Sequence, residues 1–269
     1  RSRAYLQIHF CVLLWGATAI LGKMISLAAL PLVWWRLLIV VAALLLFPVV
    51  WRGLRAMWWR LVGAYAGIGV IVALHWLTFY GTIKLPNASV GATCIALGTV
   101  FVAMIEPWVA RTRFSKRDLV LGIVVLPGVA LVVGGVPAGM RVGIAVGAVS
   151  AFLVAIFGSL NKRMVEHGDP LTVTALELGA GLVALTFLAP LMPLLPVVGE
   201  AFAGDVFSPP QGRDLALLLV LSLACTLLPF ALSLAALRHM SACAQQLAGN
   251  LEPVYAIVLA ILLFREQRE

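Results

Sequence analysis

Apolar stretches long enough to cross a lipid bilayer follow one another along almost the whole of this 269-residue chain. A helix needs about 20 residues to cross the roughly 30 Å hydrocarbon core, because each residue adds about 1.5 Å. Nine stretches meet this length, at approximately 6–26, 31–50, 61–83, 88–110, 118–136, 142–161, 171–195, 214–237 and 241–264. With 63% hydrophobic and 11% charged residues, the chain carries more apolar surface than a soluble domain could bury. The sequence therefore predicts an all-α polytopic membrane protein.

The positive charges indicate how the chain is oriented. A net charge of +8 would suit nucleic-acid binding, but Lys and Arg lie in the short connections between apolar stretches rather than on one surface. When the connections are assigned to alternate sides, twelve of the nineteen Lys and Arg residues fall on one side and six on the other. Only Arg36 lies inside a span. The positive-inside rule then predicts a cytoplasmic N-terminus. The dispersed positions of the charges argue against a nucleic-acid partner.

The chain contains an internal repeat. Pro31 follows Lys23 by eight residues, and Pro170 follows Lys162 by the same eight residues. Residues 85–104 also align with residues 239–258. The first repeat is predicted at 1–137, with helices 1–5. The second is predicted at 138–269, with helices 6–9 and a tenth helix expected after residue 269.

An odd number of spans in each repeat gives the second copy the opposite orientation. Two inverted five-helix repeats are the architecture of many secondary transporters, whose substrate site lies near the middle of the bilayer where the copies meet. The sequence thus favours a carrier over a purely structural bundle.

Several motifs point to a known group. They are WGATAILGK, then PLVWWR, and later LEPVYAIVLAILLF ending in REQ, with Pro253 inside the last span and Glu266 just after it. Together with the two-half organisation, the chain resembles the drug/metabolite transporter (DMT) superfamily of the EamA type, and within it the aromatic amino acid exporter (YddG-like) branch. In the first repeat Thr99 and Thr112 replace the Pro and Glu.

The resemblance implies ten helices around a central cavity. It also implies export of amino acids or related metabolites from the cytoplasm across a bacterial inner membrane. The implied partners are a small-molecule substrate and the lipid bilayer, with the chain a monomer or weak dimer.

Four charged residues lie inside predicted spans, where each costs at least about 2.5–3.5 kcal/mol unless it is compensated. Arg36 lies about one turn inside the outer face of the second span, where it either extends to the outer surface or has a structural role within the bundle. Glu106 is expected to pair with Arg111 or Arg113, and Glu177 to pair with Lys162, Arg163 or water. Glu252 lies mid-span beside Pro253, where a kink would line a cavity.

The candidate substrate-binding residues come from three spans. The ninth span carries Gln246 and Asn250 on one face together with Glu252, and amides suit the carboxylate and ammonium of a zwitterion. The third span presents an aromatic face, and the first adds a tryptophan away from either interface. The full set is Trp15, Thr18, His75, Trp76, Phe79, Tyr80, Gln246, Asn250 and Glu252. Packing and hydrogen bonding between helices are the alternative role for each of them.

Small residues are expected to allow close helix packing. Gly63 with Gly67, and Gly143 with Gly147, form the small-xxx-small spacing that lets two backbones approach.

These features favour a transporter that exports aromatic or hydrophobic amino acids by alternating access, as a uniporter. The alternative is a proton-coupled drug or metabolite antiporter, for which Glu252 is the candidate proton carrier, because the first span has no acid. An enzyme is disfavoured because no H-E-x-x-H or G-x-S-x-G motif is present. No cofactor and no metal site are expected.

Overall fold

The computed structural model describes residues 2–85, 94–134, 141–194, 199–252 and 254–255. Nearly all of these residues are helical, and none of them lies in a strand. The expectation of an all-α protein is confirmed. The expected tenth helix, Pro253 and most of the second half of the ninth span fall outside the described residues.

Eleven helices are described. They are α1 (Ser2–Met24), α2 (Ala29–Leu45), α3 (Pro48–Ala56), α4 (Trp59–Lys84), α5 (Gly98–Val109), α6 (Lys116–Gly134), α7 (Arg141–Met164), α8 (Pro170–Leu188), α9 (Gly199–Phe202), α10 (Gly212–Leu237) and α11 (Ala242–Gly249). A 3₁₀ turn at Ile95–Leu97 leads into α5, and another at Ala189–Leu194 extends α8.

Five of these helical stretches are long and apolar enough to cross a bilayer. They are Ser2–Met24, Trp59–Lys84, Val142–Met164, Pro170–Leu194 and Gly212–Leu237. The pair α2 and α3 would add a sixth if it counted as one bent span, and Ile95–Val109 is a shorter apolar helix. A polytopic membrane protein is therefore established within the described residues, whereas the count of nine spans stays a prediction.

The second span is shorter than its hydropathy suggests. Helix α2 ends at Leu45, and α3 starts at Pro48 with a bend of 91° between the two axes. The expectation of one helix over 31–50 is wrong, because proline has no N–H to continue a helix but suits the first helical turn. Helix α3 buries Val50 and exposes Trp51 and Arg52, as expected of a helix lying along the membrane surface.

The two halves of the chain are joined by close packing of α4, from the first half, against α7 and α8, from the second. A Cβ added to Gly69 of α4 would overlap the backbone of Glu177 in α8, and one added to Gly181 of α8 would press on Gly69 and Ala73. These glycines let the two backbones approach. The expectation of close packing at Gly63 and Gly67 is not met among the described residues, since a Cβ on either would meet none of their atoms within 4 Å.

The α4–α8 contact predicts a contrast between two alanine substitutions in the same helix. Gly69→Ala should destabilise the protein by about 1–3 kcal/mol, because a methyl group would overpack the interface. Gly67→Ala should be neutral or stabilising by up to about 1 kcal/mol, because alanine is the better helix former. Thermal unfolding in detergent measures both variants, and equal melting temperatures would contradict this packing.

Candidate functional site

A cavity of about 120 Å³ lies between the two halves of the chain. Its lining comes from α1, α2, α4, α5 and the turn before it in the first half, and from α7, α10, α11 and Glu252 in the second. An apolar cavity of about 150 Å³ is enough to bind benzene, so the space suits a ligand of about one aromatic ring. The structure therefore contains a cavity at the place where the repeat pattern predicts a site.

Five aromatic side chains form much of the cavity wall. Trp15, Trp76 and Phe79 come from the first half, as expected, and Phe157 and Phe230 come from the second. Trp76 and Phe230 pack edge to face, with ring centroids 5.8 Å apart. Each half thus supplies part of the same aromatic surface.

His75 and Thr18 line the cavity as well. The Nδ1 atom of His75 lies 2.9 Å from the Ser150 carbonyl, so the hydrogen bond places the proton on Nδ1 and leaves Nε2 as an acceptor. Its ring stacks on Phe79 and packs at a tilt against the ring of Phe157. The Thr18 hydroxyl donates to the Trp15 carbonyl within α1.

The polar residues in and just after α11, which are Gln245, Gln246, Asn250 and Glu252, have two different roles. Gln246 and Glu252 line the cavity, and so does Gln245, which is outside the set of candidate residues predicted from the sequence. The Gln246 amide donates to the Ile95 carbonyl at 3.4 Å, whereas the side-chain oxygen of Gln245 is buried with no partner among the described residues.

Asn250 is placed differently from the expectation. It is outside the cavity lining, and its side-chain nitrogen donates to the Thr99 hydroxyl at 2.8 Å. The i, i+4 spacing itself holds, because the Asn250 N–H donates to the Gln246 carbonyl at 3.1 Å and Asn250 keeps a helical backbone conformation. The shared face packs against Ile95 and Thr99, which are also four residues apart, so Gln246 reaches the cavity lining whereas Asn250 bonds to the first half of the chain.

Arg36 is the main cavity residue that the sequence did not assign to the site. Only 2% of its surface is exposed, so the alternative in which it extends to the outer surface is wrong. Its Nε donates to the Thr226 hydroxyl at 2.5 Å and its NH1 to the Tyr80 hydroxyl at 2.9 Å. Its guanidinium also lies 4.0 Å from the centre of the Trp76 ring, within cation–π range. Tyr80 therefore supports Arg36 rather than lining the cavity itself.

A local irregularity in α10 presents Thr226 to Arg36. Residues Leu223–Leu227 form a π turn, and the Thr226 hydroxyl also donates to the Leu221 carbonyl at 2.6 Å. Pro229 favours this distortion because it has no N–H for the carbonyl four residues earlier. Such π turns are frequent at functional sites.

Glu106 holds the start of α11 instead of forming the expected surface ion pair. Its two carboxylate oxygens accept from the backbone N–H groups of Ala242, at 3.0 Å, and Cys243, at 2.8 Å. The first N–H groups of a helix lack intrahelical partners, and a carboxylate there satisfies them and suits the helix dipole. Helix α5 of the first half thereby fixes the helix that carries Gln245 and Gln246.

Glu177 is buried at 0% exposure between α4 and α8 and is not paired as expected. It accepts from the Asn161 amide at 3.3 Å, and its other oxygen has no partner among the described residues. Lys162 and Arg163 instead donate to the carbonyls of Leu237 and Val109. Among the residues that the structure describes, no three His, Cys, Asp or Glu side chains come together as metal ligands.

The comparisons with known proteins agree with this architecture. The model of the EamA-like transporter family matches the chain twice, over residues 2–134 and 141–268. The chain belongs to the EamA-like transporter family. It is therefore a multi-pass membrane transporter of the DMT type built from two repeats, and members of this family are transporters rather than enzymes. The repeat boundaries at 137 and 138 stay a prediction.

Solved structures support the fold of this EamA-like transporter. Eleven chains match, and one of them is a crystal structure titled only as that of a protein. It superposes with a TM-score of 0.73 at 15% identity, covering 100% of this chain and 91% of the other. Comparison with curated proteins gives no match.

The hydrogen bonds from the start of α11 to the Glu106 carboxylate predict a loss of stability when that carboxylate is removed. Glu106→Ala should destabilise the protein by about 0.5–2 kcal/mol, because two buried N–H groups lose their partner. The stability of Glu106→Gln should lie between that of Glu106→Ala and that of the unmodified protein, because the amide keeps one oxygen that can accept a hydrogen bond. Thermal unfolding checks the order, with Ser241→Ala as a comparison, since the Ser241 hydroxyl accepts from Ala244 in the same cap. Equal stability of all variants would contradict the capping role.

Proposed function

We propose that this transporter exports aromatic or hydrophobic amino acids, or closely related metabolites, from the bacterial cytoplasm. The observation that carries the proposal is the central cavity, whose wall combines five aromatic rings with a few polar groups. Small-molecule sites are mostly apolar, with a small number of placed polar groups that orient the ligand. An amino acid with an apolar side chain offers the same combination.

The polar groups of the cavity suit a zwitterion. The lining includes one cation, Arg36, and one carboxylate, Glu252. The side-chain oxygen of Gln245, which has no partner in the part of the chain that the structure describes, is a further acceptor, and in this proposal it accepts from an ammonium group. A ligand with one positive and one negative group would therefore find a counterpart for each.

We further propose alternating access as the mechanism. The cavity lies where the repeats meet, and in inverted-repeat carriers one repeat moves against the other around such a site. In this proposal the chain lies in the bacterial inner membrane with its N-terminus in the cytoplasm, as the distribution of Lys and Arg favours.

Transport by the purified protein in liposomes tests this function. We expect saturable movement of an aromatic or aliphatic amino acid down its gradient. A panel of amino acids, amines and organic acids identifies the class, and absence of transport for every amino acid would overturn the proposal.

The second candidate is proton-coupled antiport, which is favoured by the presence of the Glu252 carboxylate in the cavity. Uniport predicts that an imposed pH gradient leaves the initial rate unchanged. Strong acceleration by the gradient would support antiport instead. Glu252→Gln and Glu177→Gln would then show which carboxylate carries the proton, by which variant loses the response to the pH gradient. Glu252 lines the cavity, whereas Glu177 is buried outside the cavity lining.

The two amides near the end of α11 provide a matched pair. Gln246→Leu should reduce transport strongly, because Gln246 lines the cavity. Asn250→Leu should chiefly lower the melting temperature, because it removes the hydrogen bond to Thr99, worth about 0.6–2 kcal/mol. Transport normalised to folded protein distinguishes the two outcomes, and the reverse pattern would contradict the assignment of Gln246 to the site.

A further inference from the structure

We infer that Arg36 binds a carboxylate of the substrate and makes this group a requirement for transport. The inference rests on the proposed function, since it takes the central cavity as the transport site. It adds to that function the residue that selects the substrate and the chemical group that is selected.

The first argument is that Arg36 is a buried cation without a partner anion. It is 2% exposed, and no Asp or Glu of the described residues lies within the 4 Å of an ion pair with it. Glu252 lines the same cavity and its charge acts on Arg36, but the two side chains form no ion pair among the described residues. An uncompensated buried charge is costly, and in proteins such charges are paired or bound to a ligand. The cavity therefore offers a place for an anion beside Arg36.

The second argument is the number of donors that remain. A guanidinium has five N–H groups, and two of them donate to Thr226 and Tyr80. The other three have no acceptor among the described residues. A planar group with several such donors suits a carboxylate, which accepts two parallel hydrogen bonds.

The third argument is that Arg36 is held in place before a ligand arrives. Its two hydrogen bonds attach it to α4 and to the π turn of α10, and its face lies on Trp76. These partners come from both halves of the chain. A fixed guanidinium loses little freedom when it binds, which favours affinity.

The position of the charge also selects against other ligands. A lipophilic cation without an acidic group would be repelled by Arg36 in the cavity lining, because a buried site screens charge poorly. Carboxylate binding thus separates amino acid transport from the export of cationic drugs.

The test compares each amino acid with its carboxamide, which has nearly the same size but no carboxylate. For the unmodified protein in liposomes, we expect L-phenylalanine or L-leucine to be transported with a KM at least about 10-fold lower than the amide, from the usual strength of charge-assisted hydrogen bonds. Stabilisation against thermal unfolding in detergent gives an independent measure of binding.

Variants connect this preference to one residue. Arg36→Gln should raise the KM for the amino acid by roughly 10- to 100-fold and remove the preference over the carboxamide. Arg36→Lys should retain part of the preference, because the charge remains but the planar fork is lost. Tyr80→Phe should give a smaller rise in KM, because one support is lost. Arg163→Gln is the matched control: it removes one positive charge at an exposed position outside the cavity lining and should leave the KM and the preference unchanged.

The outcomes distinguish this inference from the proposed function. Equal transport of amino acid and carboxamide would overturn the role of Arg36 while leaving the exporter intact, and so would an unchanged preference in Arg36→Gln. Transport of neither compound by the unmodified protein would overturn both. If Arg36→Gln does not fold, the comparison of the two compounds on the unmodified protein still decides whether a carboxylate is required.

Discussion

The close contact between α4 and α8 at Gly69 and Gly181 is the interaction on which the remaining architecture depends. Lipid tails are as apolar as leucine side chains, so helices in a bilayer associate through close packing and hydrogen bonds rather than through hydrophobic burial. By bringing the two backbones together, the glycines fix one half of the chain against the other. The same helix α4 then presents His75, Trp76 and Phe79 to the space between the halves.

The charged residues within the bundle illustrate two ways of stabilising a charge away from water. Glu106 is compensated inside the protein, by the N–H groups at the start of α11, and so it contributes to structure. Arg36 is held by two hydroxyl groups and an aromatic ring but lacks an anion among the described residues, and it lies at the cavity. We take compensation by the fold as the sign of a structural role, and incomplete compensation beside a cavity as the basis for the proposed ligand site.

The sequence predicted the helical class, the two repeats and much of the cavity wall, because hydropathy, internal similarity and tryptophans far from the interfaces all report depth in the membrane. It did not predict the direction in which each side chain points around its helix. For this reason Arg36 was not assigned to the cavity and Gly67 was assigned to a helix contact. Asn250 lies outside the lining for a different reason: it shares a face with Gln246, but that face packs against α5, where Asn250 bonds to Thr99. The bend before Pro48 was not predicted either, because apolar residues lie on both sides of this proline and hydropathy alone continues the span through it.

The central claim is that the cavity between the repeats opens to each side of the membrane in turn. Labelling of Ser233→Cys, a cavity position, with a charged thiol reagent tests this most directly, because the four native cysteines are buried. In vesicles of known orientation, we predict labelling from either side and slower labelling when a transported amino acid is present. Val183→Cys, on an exposed apolar face, should remain unlabelled. Labelling from one side only, or from neither, would contradict alternating access.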